Sequence, residues 1–329
     1  MEAILDMGLE ASAWLQANYP QLEQFLRILS QIGQFEFYLA VLPFIYWSIN
    51  KQLGLTVTYL LAIADLTSAT FKHALRGPRP YWLEPTLGLS SEESYGLPSG
   101  HAQTVTVAYI YLAAWARQRW IWLLAVLMVF FMILSRVYLG VHFVHDVIAG
   151  FLLGVFILVA YFLWHHYAAE SFKKRIMGQK LLAAVVLPLA IGALYLVAIL
   201  IAGAPDDQVA WAAEISTAER ASIDNVATAV ATLLGLGIGF VLESSRVRFL
   251  ADGPLWKRVA RYVVGIFGVL LIWRGLGLIF PRDPLWLAVP LRMVRYLLLG
   301  LWAAYYAPWL FVRLGLADAR PSPPIEMKL

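Results

Sequence analysis

Apolar segments recur along this 329-residue chain, separated by short polar stretches. Most are close to the roughly 20 residues that a helix needs to cross the hydrocarbon core of a bilayer. The pattern predicts an all-α polytopic membrane bundle with about nine transmembrane helices. The predicted spans are residues 36–50, 53–74, 100–117, 119–138, 143–166, 180–203, 223–242, 258–280 and 287–312.

The N-terminal stretch has a different pattern. Residues 4–31 interleave apolar side chains with Glu10, Glu23 and Arg27, which makes the stretch too polar to span. We predict an amphipathic helix on the membrane surface, interrupted at Pro20 because proline cannot continue the helical hydrogen bonding. The predicted organisation is an interfacial helix over 1–35, a five-span core over 36–170 and a four-span C-terminal extension over 171–329.

Composition supports a membrane protein and excludes several other classes. The chain is 61% hydrophobic and 14% charged, with a mean hydropathy of +0.70. Its net charge of +4 does not indicate nucleic acid binding, because the basic residues lie at the ends of apolar segments, where they determine topology. Without cysteine, the chain has neither disulfides nor thiolate chemistry.

Loop charge predicts the orientation. One set of loops is basic and is expected to be cytoplasmic together with the C-terminus, whereas the opposite set is acidic. A cationic cluster nevertheless lies on the acidic, outer side, and cations that orientation does not require are explained by an anionic ligand. The cluster consists of Lys72, His73, Arg76 and Arg79.

One stretch, residues 135–146, places charge inside otherwise apolar sequence. His142 and Asp146 are four residues apart, so that a helix turn would let the carboxylate hold one ring nitrogen and leave the other free to attack. Arg136 lies six residues before His142 and offers a planar fork for phosphoryl oxygens. The alternative is an ion pair at a helix end beside a buried histidine.

Two further stretches carry anion-binding chemistry. Lys72 and Arg79 close the second predicted span, although a lysine there could simply extend its amine to the interface. Ser99 and Gly100 open the third span, where an N-cap serine and free N–H groups form an anion site. His101 could donate a proton to a leaving oxygen, or could be only a capping or interfacial histidine. The predicted topology places all three stretches at one membrane face.

Together these stretches resemble the three-part signature of the type-2 phosphatidate phosphatase superfamily, over about residues 36–166. The resemblance implies a lipid phosphate phosphatase core without metal or cofactor. It implies that His142 is the nucleophile that forms a phosphohistidine, that Asp146 orients it, and that His101 is the general acid and later activates water. It also implies a phosphate-binding set, which comprises Lys72, Arg79, Ser99, Gly100 and Arg136.

The expected substrate is a lipid phosphomonoester or diphosphate in the bacterial inner membrane: undecaprenyl diphosphate, a phosphatidate-type lipid or a sphingoid phosphate. The expected partners are this substrate and membrane lipids, with no nucleic acid, and the sequence does not indicate the oligomeric state. The alternatives are a non-enzymatic lipid transporter or scaffold on the same fold, and a vanadate-dependent haloperoxidase.

Other polar or glycine-containing positions carry weaker expectations. We predict that His145 is a bystander, and that Asp65 braces Lys72 or pairs with Arg274. The glycines at 235–239 indicate close helix packing and not a nucleotide site. The acidic stretch 204–221 is either a lid or a solvated loop.

Overall fold

The computed structural model describes residues 2–320, which are mostly helical. Residues 321–329, part of the tail predicted to be cytoplasmic, lie outside the described residues. The helices are α1 Glu2–Asn18, α2 Glu23–Gln31, α3 Phe35–Phe44, α4 Lys51–Leu75, α5 Pro80–Leu83, α6 Gly100–Ala116, α7 Arg119–Tyr138, α8 Val144–Tyr167, α9 Ala169–Lys173, α10 Met177–Ala202, α11 Ala212–Leu242, α12 Leu255–Leu270, α13 Leu276–Ile279, α14 Leu285–Leu301 and α15 Ala307–Arg313.

The all-helical prediction is confirmed, but the count of nine spans is not. Within residues 2–320, seven helical stretches are long and apolar enough to cross a membrane, or eight if the bent pair Pro20–Gln31 and Phe35–Ile49 forms one span. Two of the predicted spans account for the difference. Residues 36–50 form one arm of that pair, which is bent by 51°. Helix α6 has 17 residues, about 26 Å at 1.5 Å per residue, which is short of the roughly 30 Å hydrocarbon core.

Contacts divide the chain into two compact units. Unit 1 consists of Met1–Leu39, Val57–Arg175 and Leu187–Val230, and unit 2 of Ala40–Thr56, Ile176–Val186 and Ala231–Leu329. The domain boundaries that the sequence predicts, at residues 35 and 170, stay a prediction.

In unit 1, α6 packs against both α7 and α8. The expected break in the N-terminal helix is confirmed, since a 3₁₀ turn at Pro20–Leu22 separates α1 from α2. Helix α2 packs against α7, and its Leu26 and Leu29 are buried in a core cluster that includes Val105 and Met132. The amphipathic stretch therefore contributes its apolar face to the protein core.

In unit 2, the glycines near residue 235 allow close helix packing, as expected. A Cβ at Gly235 would lie 2.4 Å from the Leu297 carbonyl oxygen, and one at Gly239 would lie 2.6 Å from the Ala304 Cβ. These distances leave no room for a side chain, so the backbones of α11 and α14 are in direct contact.

Candidate active site

A tight turn between α7 and α8 positions His142. Gly140 has a φ of +68°, in the left-handed region that favours glycine, and a Cβ there would lie 2.1 Å from the Leu87 carbonyl oxygen. After this turn the N–H groups of Val141 and His142 both donate to the Arg136 carbonyl at 3.3 Å. The chain folds back over the end of α7, which brings His142 beside Arg136.

Both ring nitrogens of the buried His142 have a partner. Nδ1 lies 3.3 Å from Asp146 Oδ2, and Nε2 lies 3.4 Å from Arg79 Nη1. Because a guanidinium only donates, Nε2 is the acceptor and Nδ1 carries the proton. The Nε2 lone pair therefore faces a cation, in the orientation that a nucleophilic imidazole requires.

The protonation state of His142 follows from its surroundings. The residue lies in the turn between two helices, where burial lowers the pKa of the imidazole well below its usual range. The cations Arg79 and Lys72 lower this pKa further. The imidazole is therefore neutral at neutral pH, which keeps its lone pair available.

Asp146 joins the histidine to the start of α8. Besides facing His142, its Oδ2 accepts the Phe143 N–H at 2.9 Å and so caps the helix. Helix α8 begins only at Val144, so the two residues approach through the helix cap and do not share a helix face. The Asp146 carbonyl accepts the Ser99 N–H at 2.9 Å, which ties this turn to the start of α6.

Lys72 and Arg79 are buried, with 7% and 0% exposure, and are held by carbonyls of one loop. Lys72 Nζ donates to the carbonyls of Tyr95 at 2.5 Å and Gly96 at 3.3 Å. Arg79 donates to the carbonyls of Ser94 at 2.5 Å and Tyr95 at 3.0 Å. Neutral carbonyls orient the two cations without cancelling their charge, so both remain able to attract an anion.

Arg136 is buried as well, and it pairs with an acidic residue that sequence reasoning missed. Its Nη1 donates to Ser30 Oγ and its Nη2 to Glu92 Oε1, each at 2.5 Å. Glu92 Oε2 also lies 4.0 Å from Arg79 Nη2. The Glu92 carboxylate thus lies among the cations that were predicted to hold a phosphoryl group.

The charge of Glu92 is maintained by these neighbours. Burial alone would raise the pKa of this carboxyl, but Arg136 first, then His101 and Arg79, hold the pKa well below its usual range. Glu92 is therefore ionised at neutral pH and acts as a counter-ion within the cation cluster.

At the start of α6, the predicted serine cap is confirmed, since Ser99 Oγ accepts the Ala102 N–H at 3.4 Å. His101 Nδ1 lies 3.8 Å from Glu92 Oε1. His101 Nε2 is buried and has no hydrogen-bond partner within residues 2–320. Gly33 lies against the ring, where a Cβ would be 2.3 Å from it. One buried polar atom of His101 thus has no hydrogen-bond partner among the described residues.

The two weaker candidates are placed as follows. His145 is more exposed than His142, stacks on Phe143 and brings Nε2 to 3.3 Å from Asp146 Oδ1. Asp65 is exposed on α4, while Lys72 donates to loop carbonyls. Within the described part of the chain, no group of three or more His, Asp or Glu side chains is arranged to hold a metal ion.

All eight predicted site residues thus belong to unit 1 and meet where α4, α6, α7 and α8 begin or end. Three contributors were missed: Ser30 on α2, the loop carbonyls of 94–96, and Glu92. Residue type could not identify the first two, because any residue supplies a carbonyl and serine is common. Glu92 belongs to the acidic set of loops, and its charge there indicates only the orientation of the chain.

Two family profiles match this chain. The profile described as the PAP2 superfamily matches residues 53–170, and the one described as the PAP2 superfamily phosphatase, transmembrane extension, matches residues 227–319. The chain belongs to the PAP2 superfamily. The predicted resemblance is therefore confirmed, and the second match lies in the region that sequence analysis separated as an extension. As a member with several apolar spans, it is an integral membrane protein.

Curated relatives in this superfamily include enzymes with different substrates. The chain is 28% identical to the glucose-6-phosphatase catalytic subunit 1 of Canis lupus familiaris, over 47% of this chain and 52% of that protein. It is 34% identical to the undecaprenyl-diphosphatase of Sulfolobus acidocaldarius, over 33% and 53%, and 31% identical to the lipid phosphate phosphatase delta of Arabidopsis thaliana, over 42% and 37%. The chain thus spans about half the length, or less, of these relatives.

The position of Glu92 generates a prediction. In Glu92→Gln, inorganic phosphate and orthovanadate should bind more tightly, because a carboxylate no longer competes for Arg136 or repels the anion. A partly exposed charge pair contributes up to about 1 kcal/mol, which corresponds to about a fivefold change in a dissociation constant. Isothermal titration calorimetry of the purified proteins measures the two dissociation constants.

The matched control is Glu93→Gln, which removes the same charge from the adjacent, exposed position. Equal affinities in wild type and Glu92→Gln, or weaker binding in the variant, would show that Glu92 does not compete with the anion.

Proposed function

We propose that this protein is a lipid phosphate phosphatase that transfers the phosphoryl group to His142 and then to water. The observation that carries the proposal is the geometry of the imidazole: Asp146 holds Nδ1, and the Nε2 lone pair faces Arg79 among three buried cations. An unprotonated nitrogen that faces buried cations suits attack on an anionic phosphorus centre, whose charge would otherwise repel a nucleophile.

In the first step, His142 Nε2 forms a bond to phosphorus while the bond from phosphorus to the leaving oxygen breaks. Arg79, Arg136 and Lys72 stabilise the charge on the non-bridging oxygens. His101 gives a proton to the leaving oxygen through its otherwise unpartnered Nε2. The bound phosphoryl group favours the protonated form of His101, because it adds negative charge nearby.

In the second step, His101, now neutral, takes a proton from a water molecule whose oxygen attacks phosphorus. The bond from phosphorus to His142 Nε2 breaks, and inorganic phosphate leaves. Asp146 keeps the imidazole in one tautomer throughout, so that it returns to its starting state.

A lipid substrate is supported by the setting of the site. The site lies at the ends of apolar helices, a position at which a bound lipid would keep its chains in hydrocarbon while its headgroup meets the cations. Two of the compared relatives are named for lipid phosphate or diphosphate substrates, and one for a sugar phosphate. We infer a lipid phosphomonoester or diphosphate, with undecaprenyl diphosphate, phosphatidate-type lipids and sphingoid phosphates as the candidates.

The decisive experiment measures phosphate release by purified protein from these three lipids and from glucose 6-phosphate, with a chelator present. His142→Ala should lose at least about a thousandfold in kcat, because the attacking group is absent. Wild type should retain its rate in chelator, since the proposed steps use no metal.

Two histidines serve as controls. His166→Ala removes an exposed histidine at the end of α8 and should leave the rate unchanged, and His145→Ala should retain most of it. Undiminished release by His142→Ala would contradict the mechanism, and release from glucose 6-phosphate alone would contradict the lipid assignment. Absence of hydrolysis in wild type would favour a transporter or scaffold, and halide oxidation with vanadate would favour a haloperoxidase.

We also infer that the site faces the outside of a bacterial inner membrane, from the distribution of loop charge. Because the chain has no cysteine, single cysteines can report the orientation. A membrane-impermeant maleimide added to intact spheroplasts should label Asp206→Cys and not Glu170→Cys. Both positions are exposed. The reverse pattern would place the site on the cytoplasmic side.

A further inference from the structure

A second polar cluster lies beside the candidate site in unit 1, and its central residue comes from α11. Glu219 accepts hydrogen bonds through both carboxylate oxygens: Oε1 from Tyr95 Oη at 2.8 Å and Arg76 Nε at 3.0 Å, and Oε2 from His73 Nε2 at 2.9 Å. His73 Nδ1 in turn lies 2.7 Å from the hydroxyl of Tyr195 on α10. This cluster joins α10 and α11 to the end of α4.

Arg76 is held firmly by this cluster. Its φ of 49° lies in the left-handed region, which is unfavourable for a residue with a side chain. Its guanidinium donates to Glu219 and, at 2.9 Å, to the Gly203 carbonyl. The two contacts fix the backbone where α4 ends, between Lys72 and Arg79.

Tyr95 connects the cluster to the phosphate-binding cations. Its hydroxyl donates to Glu219, and burial together with this hydrogen bond raises the pKa of Tyr95, so the hydroxyl stays protonated. Its carbonyl accepts from Lys72 and from Arg79. The ring is 1% exposed and packs with Trp82 and Ala218. A single residue therefore links α11 to two of the three cations.

We propose that Glu219 is a positioning residue for the phosphate-binding cations and acts through Tyr95. By anchoring the Tyr95 side chain, Glu219 fixes the loop carbonyls that hold Lys72 and Arg79 in their orientation. This inference rests on the proposed function and gives a role to part of the acidic stretch 204–221, for which the sequence alone predicts either a lid or a solvated loop. It makes the start of α11 a structural support of the site.

The cleanest test removes only the anchoring hydroxyl. Tyr95→Phe should raise KM for the lipid phosphate and the inhibition constant of orthovanadate by the same factor, about three- to tenfold, with kcat changed less than twofold. The cations contact phosphoryl oxygens in the ground state as well as the transition state, so misplacing them weakens binding in general. A variant that is only partly folded would lose kcat at unchanged KM.

Glu219→Gln should likewise raise KM and the vanadate inhibition constant with little change in kcat. In the double variant Tyr95→Phe/Glu219→Gln, KM should be no higher than in the more impaired single variant, because both changes break one linkage. Glu214→Gln, on the same helix, and Tyr161→Phe, on α8, are the matched controls and should behave as wild type. Additive effects, or unchanged KM and vanadate inhibition in Tyr95→Phe, would overturn the inference. Absence of turnover in wild type would instead refute the proposed function, and orthovanadate binding would still test the linkage.

Discussion

The structure depends on the partners of three cations that are buried in an apolar helical bundle. Lys72, Arg79 and Arg136 are at most 7% exposed, and each would strongly destabilise the fold without partners. Backbone carbonyls satisfy the first two, whereas Ser30 and Glu92 satisfy the third. Most of these partners are neutral, so the cluster keeps a net positive character and is poised for an anion.

The same cations determine the chemistry of the histidine beside them. Burial first, and then the positive environment, disfavours imidazolium, and the contact with Arg79 directs the unprotonated nitrogen of His142 towards the cations. Asp146 supplies the opposing contact and also caps α8, so helix formation and tautomer selection share one carboxylate. Fold stability and nucleophile orientation are thereby coupled.

Most of the site residues can be predicted from the sequence, because charged side chains within apolar segments carry the site. Charged residues are rare in spans, so Lys72, Arg136 and Asp146 were conspicuous, and topology alone predicted that they would meet. The partners were not predictable in the same way. Carbonyls of residues 94–96 have no signature in the side-chain sequence, and Glu92 could not be distinguished from the solvated acids around it.

Length explains why the predicted count of nine spans is not confirmed. Hydropathy located α6 correctly, but a hydropathy pattern reports neither its length of 17 residues nor the 51° bend between Pro20–Gln31 and Phe35–Ile49. Glu219 shows the same limit. It is one acid in an acidic stretch, and only tertiary structure reveals that it contacts Tyr95, His73 and Arg76.

The central claim is that the phosphoryl group passes through His142, and trapping the covalent intermediate tests it most directly. Wild-type protein mixed with a ³²P-labelled lipid phosphate and quenched in alkali within one turnover should carry label that is stable to alkali, released by acid and located by peptide mapping at His142. His142→Ala should carry none. Label on another residue would contradict the account. So would turnover at full rate with no trapped phosphoprotein and with inversion of configuration at phosphorus, which indicates a single displacement.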